Sequence, residues 1–173
     1  MVWVVGSNPT MSTMTSNQIQ DILMIENASK PVQITNYSSV GFEADVLMIT
    51  KSGMAYEYEV KTSRADFKKD FSKLSKHKIY SDKRPHLIKK RNYPKKPNYF
   101  YFACMEGLIK KTEIPVYAGL VYIMPDNTLK VIKKAPRLHS YKFPPGMVWN
   151  IASTLTARTK FGSSYIRHKH QIK

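Results

Sequence analysis

The stretch Gly41 to Lys61, GFEADVLMITKSGMAYEYEVK, predicts a β-hairpin. Val46, Leu47, Met48 and Ile49 in succession mark a strand from Gly41 to Thr50, and Lys51-Ser52-Gly53 makes a turn. A second strand, Met54 to Lys61, alternates Met54, Tyr56, Tyr58, Val60 against Ala55, Glu57, Glu59, Lys61. With Gly53 at the left-handed position of a three-residue loop, Thr50 lies opposite Met54. Counting back then sets Asp45 across from Glu59 and Glu43 across from Lys61. Because side chains alternate with period two, Glu43, Asp45, Glu57, Glu59 and Lys61 share one face. Like charges facing each other destabilise a strand pair, so something must compensate them. One reading is an exposed face of ordinary surface ion pairs. The other is a site for a divalent hard cation, Mg²⁺ or Mn²⁺, which takes a few carboxylate oxygens, keeps several waters and bridges to a phosphate. Lys61, two residues after Glu59, is then placed to orient an attacking water or stabilise a developing oxyanion.

Outward from the hairpin, Ser16 is expected to cap a helix from Asn17 to Ala28 whose apolar stripe is Ile19, Ile22 and Leu23. The next stripe position is Glu26, a carboxylate that faces water at a frayed end or points into a site. Val32 to Tyr37 is a short strand after the Pro31 break. On the other side, Ser63-Arg64-Ala65-Asp66 has the spacing of a helix N-terminus, opening a helix through Tyr80 with Phe67, Phe71, Leu74 and Lys78 on one side. Ser81 to Lys96 reads as a long basic loop, and Tyr99 to Met105 as a strand buried on both faces that holds Cys104 in the core. Val116 to Met124 and Leu129 to Ile132 are two more strands joined at Pro125-Asp126-Asn127. A last helix, Met147 to Arg158, presents Trp149, Ala152 and Leu155.

Asp45 followed one hairpin turn later by Glu59-Val60-Lys61 resembles the Asp and Glu-x-Lys signature of the PD-(D/E)XK nuclease superfamily. The stretch Glu59-Val60-Lys61-Thr62-Ser63-Arg64-Ala65-Asp66-Phe67 is most similar to MmcB-like DNA repair proteins and related phage nucleases. The resemblance covers Gln18 to Met124 and is strongest over Gly41 to Asp70. It implies an α/β, restriction-endonuclease-like core ordered α-β-β-β-α-β, with a central mixed sheet flanked by helices. It also implies that Asp45, Glu59 and the Val60 carbonyl bind the metal, that Lys61 is the catalytic lysine, and that Glu26 matches a first-helix glutamate found in many members. Lys76-x-x-x-Tyr80 resembles a Gln-x-x-x-Tyr element with Lys in place of Gln; a solvated helix end is the competing reading of that pair.

The composition supplies a substrate class. In 173 residues, 28 Lys+Arg stand against 12 Asp+Glu, for a net charge of +16. Such an excess favours a polyanionic partner, nucleic acid before an anionic membrane surface. Thirteen basic residues fall between Arg64 and Lys96 against Asp66, Asp70 and Asp82. Among them Lys68, Lys69, Lys73, Lys76, Lys89, Lys90 and Arg91 are expected to meet phosphates, with Tyr80, His86 and Tyr93 stacking on unpaired bases. Arg158, Lys160, Arg167 and Lys169 add a weaker contact.

A single cysteine excludes an internal disulfide framework and a multi-cysteine zinc site. No apolar stretch approaches the ~20 residues of a membrane span, and Val2 to Val5 makes no signal peptide, so a cytoplasmic location is expected. Residues 1–15 are expected to be disordered or mis-started. Gly6-Ser7-Asn8-Pro9 can be encoded by GGT-TCG-AAT-CCN, which resembles a tRNA-gene T-arm and points to a true start at Met11 or Met14. Residues 16–159 form one domain and 160–173 a basic tail. The expected activity is Mg²⁺- or Mn²⁺-dependent hydrolysis of DNA, single-stranded or branched substrates included, by an endonuclease or structure-specific nuclease in repair or phage DNA processing. A homodimer would supply two sites for a double-strand cut. The alternatives are a non-catalytic nucleic-acid-binding module on the same core, and a membrane-surface protein using its basic tail.

Overall fold

The computed structural model describes residues 14–38, 41–88 and 92–161. Its centre is a six-stranded mixed sheet in the order β1-β2-β3-β6-β7-β8. Strands β1 (Val32–Ser38), β2 (Glu43–Ile49) and β3 (Ala55–Val60) form an antiparallel meander. Helices α2 (Arg64–Asp70) and α3 (Leu74–Ser81) and a two-stranded ribbon, β4 (Leu87–Ile88) with β5 (Tyr93–Pro94), then carry the chain to β6 (Tyr99–Met105). β6 runs parallel to both β3 and β7 (Gly119–Ile123), and β8 (Leu129–Lys133) closes the edge antiparallel. The α/β class and the central mixed sheet flanked by helices are as expected.

The hairpin register follows from its turn. Gly53 has φ +80° and its N–H bonds the Thr50 carbonyl at 2.9 Å, while Thr50 N–H meets the Met54 carbonyl at 3.0 Å. The ladder that follows pairs Ile49 with Ala55 and Val46 with Tyr58. Even-numbered residues of β2 and β3 pack under α1 (Ser16–Glu26), with Ile19 and Leu23 against Val46, Met48, Tyr58 and Val60. Odd-numbered residues face the other layer. There α4 (Pro145–Phe161) covers Ile34, Leu47, Ile49 and Ala55, and α2–α3 cover Phe100, Phe102 and Leu120. The charged positions lie between these two apolar patches. On the α1 side of β6, the Tyr101 ring crosses Gly119 so closely that a Cβ there would sit 2.3 Å from it, which reserves that position for glycine.

Four local expectations are corrected. The cap of α1 is Thr15, whose hydroxyl accepts from Gln18 N–H while the Gln18 side chain returns to Thr15 N–H, so the folded part includes residue 15. The single helix through Tyr80 is broken at Phe71–Lys73, where Ser72 Oγ bonds the Lys69 carbonyl at 2.7 Å. The break rotates α3 so that Lys76, His77 and Tyr80 are buried and Leu74 is 77% exposed. The Ser81–Lys96 loop contains the β4–β5 ribbon. In α4 the inward residues are Met147 and Ile151, while Trp149 is 73% exposed and Ala152 and Leu155 face outward, because the helix meets β1 and β2 one position round from the expected stripe. Residues 1–13, with the expected start at Met11, and the tail beyond Phe161 lie outside the described residues.

Candidate active site

The odd face of β3 meets α2 and α3 in a buried charged cluster. Val46–Tyr58 is the last ladder pair, and Asp45 and Glu59 are the next residues along the two strands, in the register that the count expects. Here the ladder ends and the Asp45 carboxylate takes over, its Oδ2 accepting from the Val60 N–H at 2.7 Å. Burial, then the charge of Glu59, raises the Asp45 carboxyl to about 6, against the opposing pull of the Val60 N–H, Lys61 and Lys76. Its Oδ1 has no hydrogen-bond partner among the described residues. Glu43 is exposed and pairs with Ser38 of β1, outside the cluster.

Glu59 is 3% exposed and receives three ammonium groups. Its Oε1 lies 3.1 Å from Lys61 Nζ and 2.8 Å from Lys73 Nζ; its Oε2 lies 2.6 Å from Lys76 Nζ. Lys61 and Lys73 also share Asp70 Oδ1, at 3.1 and 2.8 Å, and Asp66 sits at the rim 3.8 Å from Lys61. Lys76 Nζ lies 2.8 Å from Glu57 Oε1 as a close ion pair, with the Phe100 and Tyr80 rings 5.0 and 5.5 Å away. Tyr80 donates its hydroxyl to Glu57 Oε2 at 2.8 Å. Burial alone would lower the Lys76 ammonium; Glu57 and Glu59 together hold it above its ordinary value. Glu57, wholly buried, is raised by desolvation.

Asp70 anchors the α2 side of the site. Burial opposes its ionisation, yet His77, Lys73 and Lys61 hold its carboxyl well below the usual carboxylate range. His77 Nε2 is 3.1 Å from Asp70 Oδ2 and 3.0 Å from the Asp70 carbonyl, while its Nδ1 meets the Tyr117 hydroxyl at 2.7 Å. Lys61 is thereby held on three sides by Glu59, Asp66 and Asp70.

The structure brings Asp45, Glu59 and Lys61 together, with Val60 between them. It does not bring Glu26 there. Helix α1 lies on the opposite face of the sheet; it starts beside Met105, where Met14 N–H meets the Met105 sulfur, and runs toward the other end of β3. Glu26 ends it exposed, near Lys30, whose ammonium lies over the Tyr56 ring. Lys76 and Tyr80 are each 1% exposed, so neither meets a phosphate or a base at the surface. Tyr93 is buried against Phe143, and His86 is half-buried on Asp82 at 2.8 Å, so the expected stacking by all three rings is not available. Lys68 and Lys69 are exposed on α2, and Lys73 is half-exposed but ion-paired; Lys89, Lys90 and Arg91 lie outside the described residues. The residues that sequence reasoning left out of the site are Glu57, Asp70 and His77. Glu57 carried a signal, its place on the odd face.

No family model and no curated protein matches the chain. A solved structure described as SPO1766, a protein of unknown function from Silicibacter pomeroyi, is similar to it. The two share a TM-score of 0.57 at 16% identity, over 86% of this chain and 93% of that one. At that identity the likeness concerns the fold.

Of the four groups expected to hold a metal, Asp45 and Glu59 fit in part. Asp45 offers a desolvated carboxylate with one oxygen unpartnered among the described residues, beside a second carboxylate, but both oxygens of Glu59 carry lysines. No group of three or more His, Cys, Asp or Glu side chains suited to a metal occurs among the described residues. No described helix is long and apolar enough to cross a membrane.

Proposed function

We propose that this chain is a metal-dependent nuclease with a restriction-endonuclease-like core, hydrolysing DNA phosphodiester bonds with Asp45, Glu59 and Lys61. The observation that carries the reading is the convergence, where the β2–β3 ladder ends, of the Asp45 carboxylate on Val60 N–H and of Lys61 Nζ 3.1 Å from Glu59. The element order supports it: a helix, a three-stranded meander, a helical crossover and a parallel strand in one mixed sheet. So does the charge of +16.

In this reading Asp45 and Glu59, with the Val60 carbonyl, hold a Mg²⁺ or Mn²⁺ ion, which supplies Lewis-acid stabilisation and a more acidic water. The protein's own contribution is positional. Asp70 and Glu59 fix the Lys61 ammonium, whose compact charge would orient the attacking water or stabilise the charge that the phosphate oxygens gain. The buried Lys76, 2.6 Å from Glu59 Oε2, holds that carboxylate in position. Exposed Lys68 and Lys69 hold the backbone of the strand without reading its sequence.

Incubation with single-stranded, duplex and branched DNA, with Mg²⁺, Mn²⁺ or EDTA, tests this. Cleavage that requires metal and is lost in Lys61→Ala is expected. Cleavage that resists EDTA, or survives in Lys61→Ala, removes the mechanism, and binding without cleavage in every metal favours the non-catalytic module.

A further inference from the structure

Within this nuclease reading, we infer that Lys73 is an exchangeable counter-ion: it neutralises Glu59 in the free protein and yields its place when a divalent cation binds beside Asp45. The three lysines on Glu59 differ in how they are held. Lys61 and Lys76 are 3% and 1% exposed, each clasped between two buried carboxylates, so neither ammonium can leave without stranding charge in the interior. Lys73 reaches the same Glu59 Oε1 from the break between α2 and α3, and its side chain is 53% exposed. It alone of the three is half-exposed to water.

The charge balance agrees in direction. Asp45, Glu57, Glu59, Asp70 and the rim residue Asp66 bring five carboxylates to the cluster, and Lys61, Lys73 and Lys76 bring three ammonium groups. The carboxylates outnumber the ammonium groups even with Lys73 in place, and Asp45 has one oxygen unpartnered among the described residues. With Lys73 swung out the excess grows by one, which a divalent cation offsets, and Glu59 Oε1 keeps only Lys61. A monovalent ammonium on a flexible stem is the weaker occupant, because a half-exposed ion pair is partly screened by water.

Calorimetric titration of Mn²⁺ into the metal-stripped protein tests the exchange without any turnover. Lys73→Met should bind Mn²⁺ about five- to tenfold more tightly than wild type, since the resident competitor is gone. Lys130→Met, which removes the same charge from β8 away from the site, should leave the affinity within about twofold, since exposed charges beyond a Debye length are screened. Asp45→Asn should abolish binding in either background. Equal or weaker binding by Lys73→Met, with wild type binding normally, overturns the exchange and leaves the metal site standing. Absence of Mn²⁺ binding in both wild type and Lys73→Met overturns the metal site and the exchange with it. Binding by Lys73→Met alone supports both.

Discussion

Asp45 accepts a hydrogen bond at 2.7 Å from the backbone N–H of Val60, in place of the ladder bond that would otherwise continue β2 and β3. The ladder ends here because a carboxylate has taken the donor.

That relationship predicts a stability gain on removing the charge. Burial first, and Glu59 second, raise the Asp45 carboxyl to about 6, against about 4 in an unfolded chain. A folded-state value above the unfolded one means that ionisation disfavours folding. The penalty grows between pH ~4 and ~6 and is constant above. Asp45→Asn keeps an acceptor for Val60 and should be more stable by about 1–2 kcal/mol at pH 8 in EDTA, with the gap closing below pH ~4. Urea titrations at several pH values measure it. A variant no more stable than wild type at pH 8 contradicts the account.

Lys76 and Glu57 predict the opposite sign. Both are buried, and the ammonium 2.8 Å from Glu57 Oε1 is the cation nearest to it. Lys76→Met should destabilise the fold by about 3 kcal/mol, because it leaves a carboxylate uncompensated in the interior. Adding Glu57→Gln, which still accepts from Tyr80, should recover a large part of the loss. Additive losses in the double variant would show that the two side chains are not coupled.

These two residues also mark how far the sequence could be read. The hairpin register was legible because period-two alternation and a left-handed Gly53 leave one pairing, and β6 because a continuous apolar run suits a strand covered on both faces. Lys76 was not legible, since a lysine near a helix end is ordinarily solvated. Its burial depends on Glu57 and Glu59, which the break at Phe71–Lys73 turns it toward. That break is set by a Ser72 hydroxyl and by ion pairs from Lys73 to β3 and α2, neither of which leaves a mark in apolar periodicity. Glu26 failed for a related reason: periodicity placed it on the inward stripe, but the helix end lies at the far end of β3 and on the wrong face.

Arg64 ties the start of α2 to the segment after β6, donating to the Leu108 carbonyl at 3.0 Å and to Glu113. Hydrogen bonding from Arg64 holds the Glu113 carboxyl down to about 2. A depressed carboxylate contributes stability that is complete above its unfolded value, near 4.5, and disappears as pH falls toward 2. Wild type and Glu113→Gln should therefore differ by a constant amount from pH 5 to 7 and converge on acidification. Thermal unfolding monitored across that range checks this, and a gap that widens below pH 4 refutes it.

Lys68 and Lys69 stand exposed on α2, immediately beyond the site, whereas Lys76 is buried and Lys73 is tied to Glu59 and Asp70. Two exposed ammonium groups that meet phosphates release counterions on binding, and each contributes to the salt dependence by about 0.7 on single-stranded and 0.9 on duplex DNA. The Lys68→Ala/Lys69→Ala double variant should therefore weaken DNA binding uniformly across sequences and flatten the plot of log K against log[salt] by roughly 1.4–1.8. Fluorescence anisotropy from 50 to about 300 mM salt measures the slope. Its metal requirement should be unaltered, because neither lysine touches Glu59 or Asp45. An unchanged slope would move the phosphate path off α2 and onto other basic surfaces of the chain.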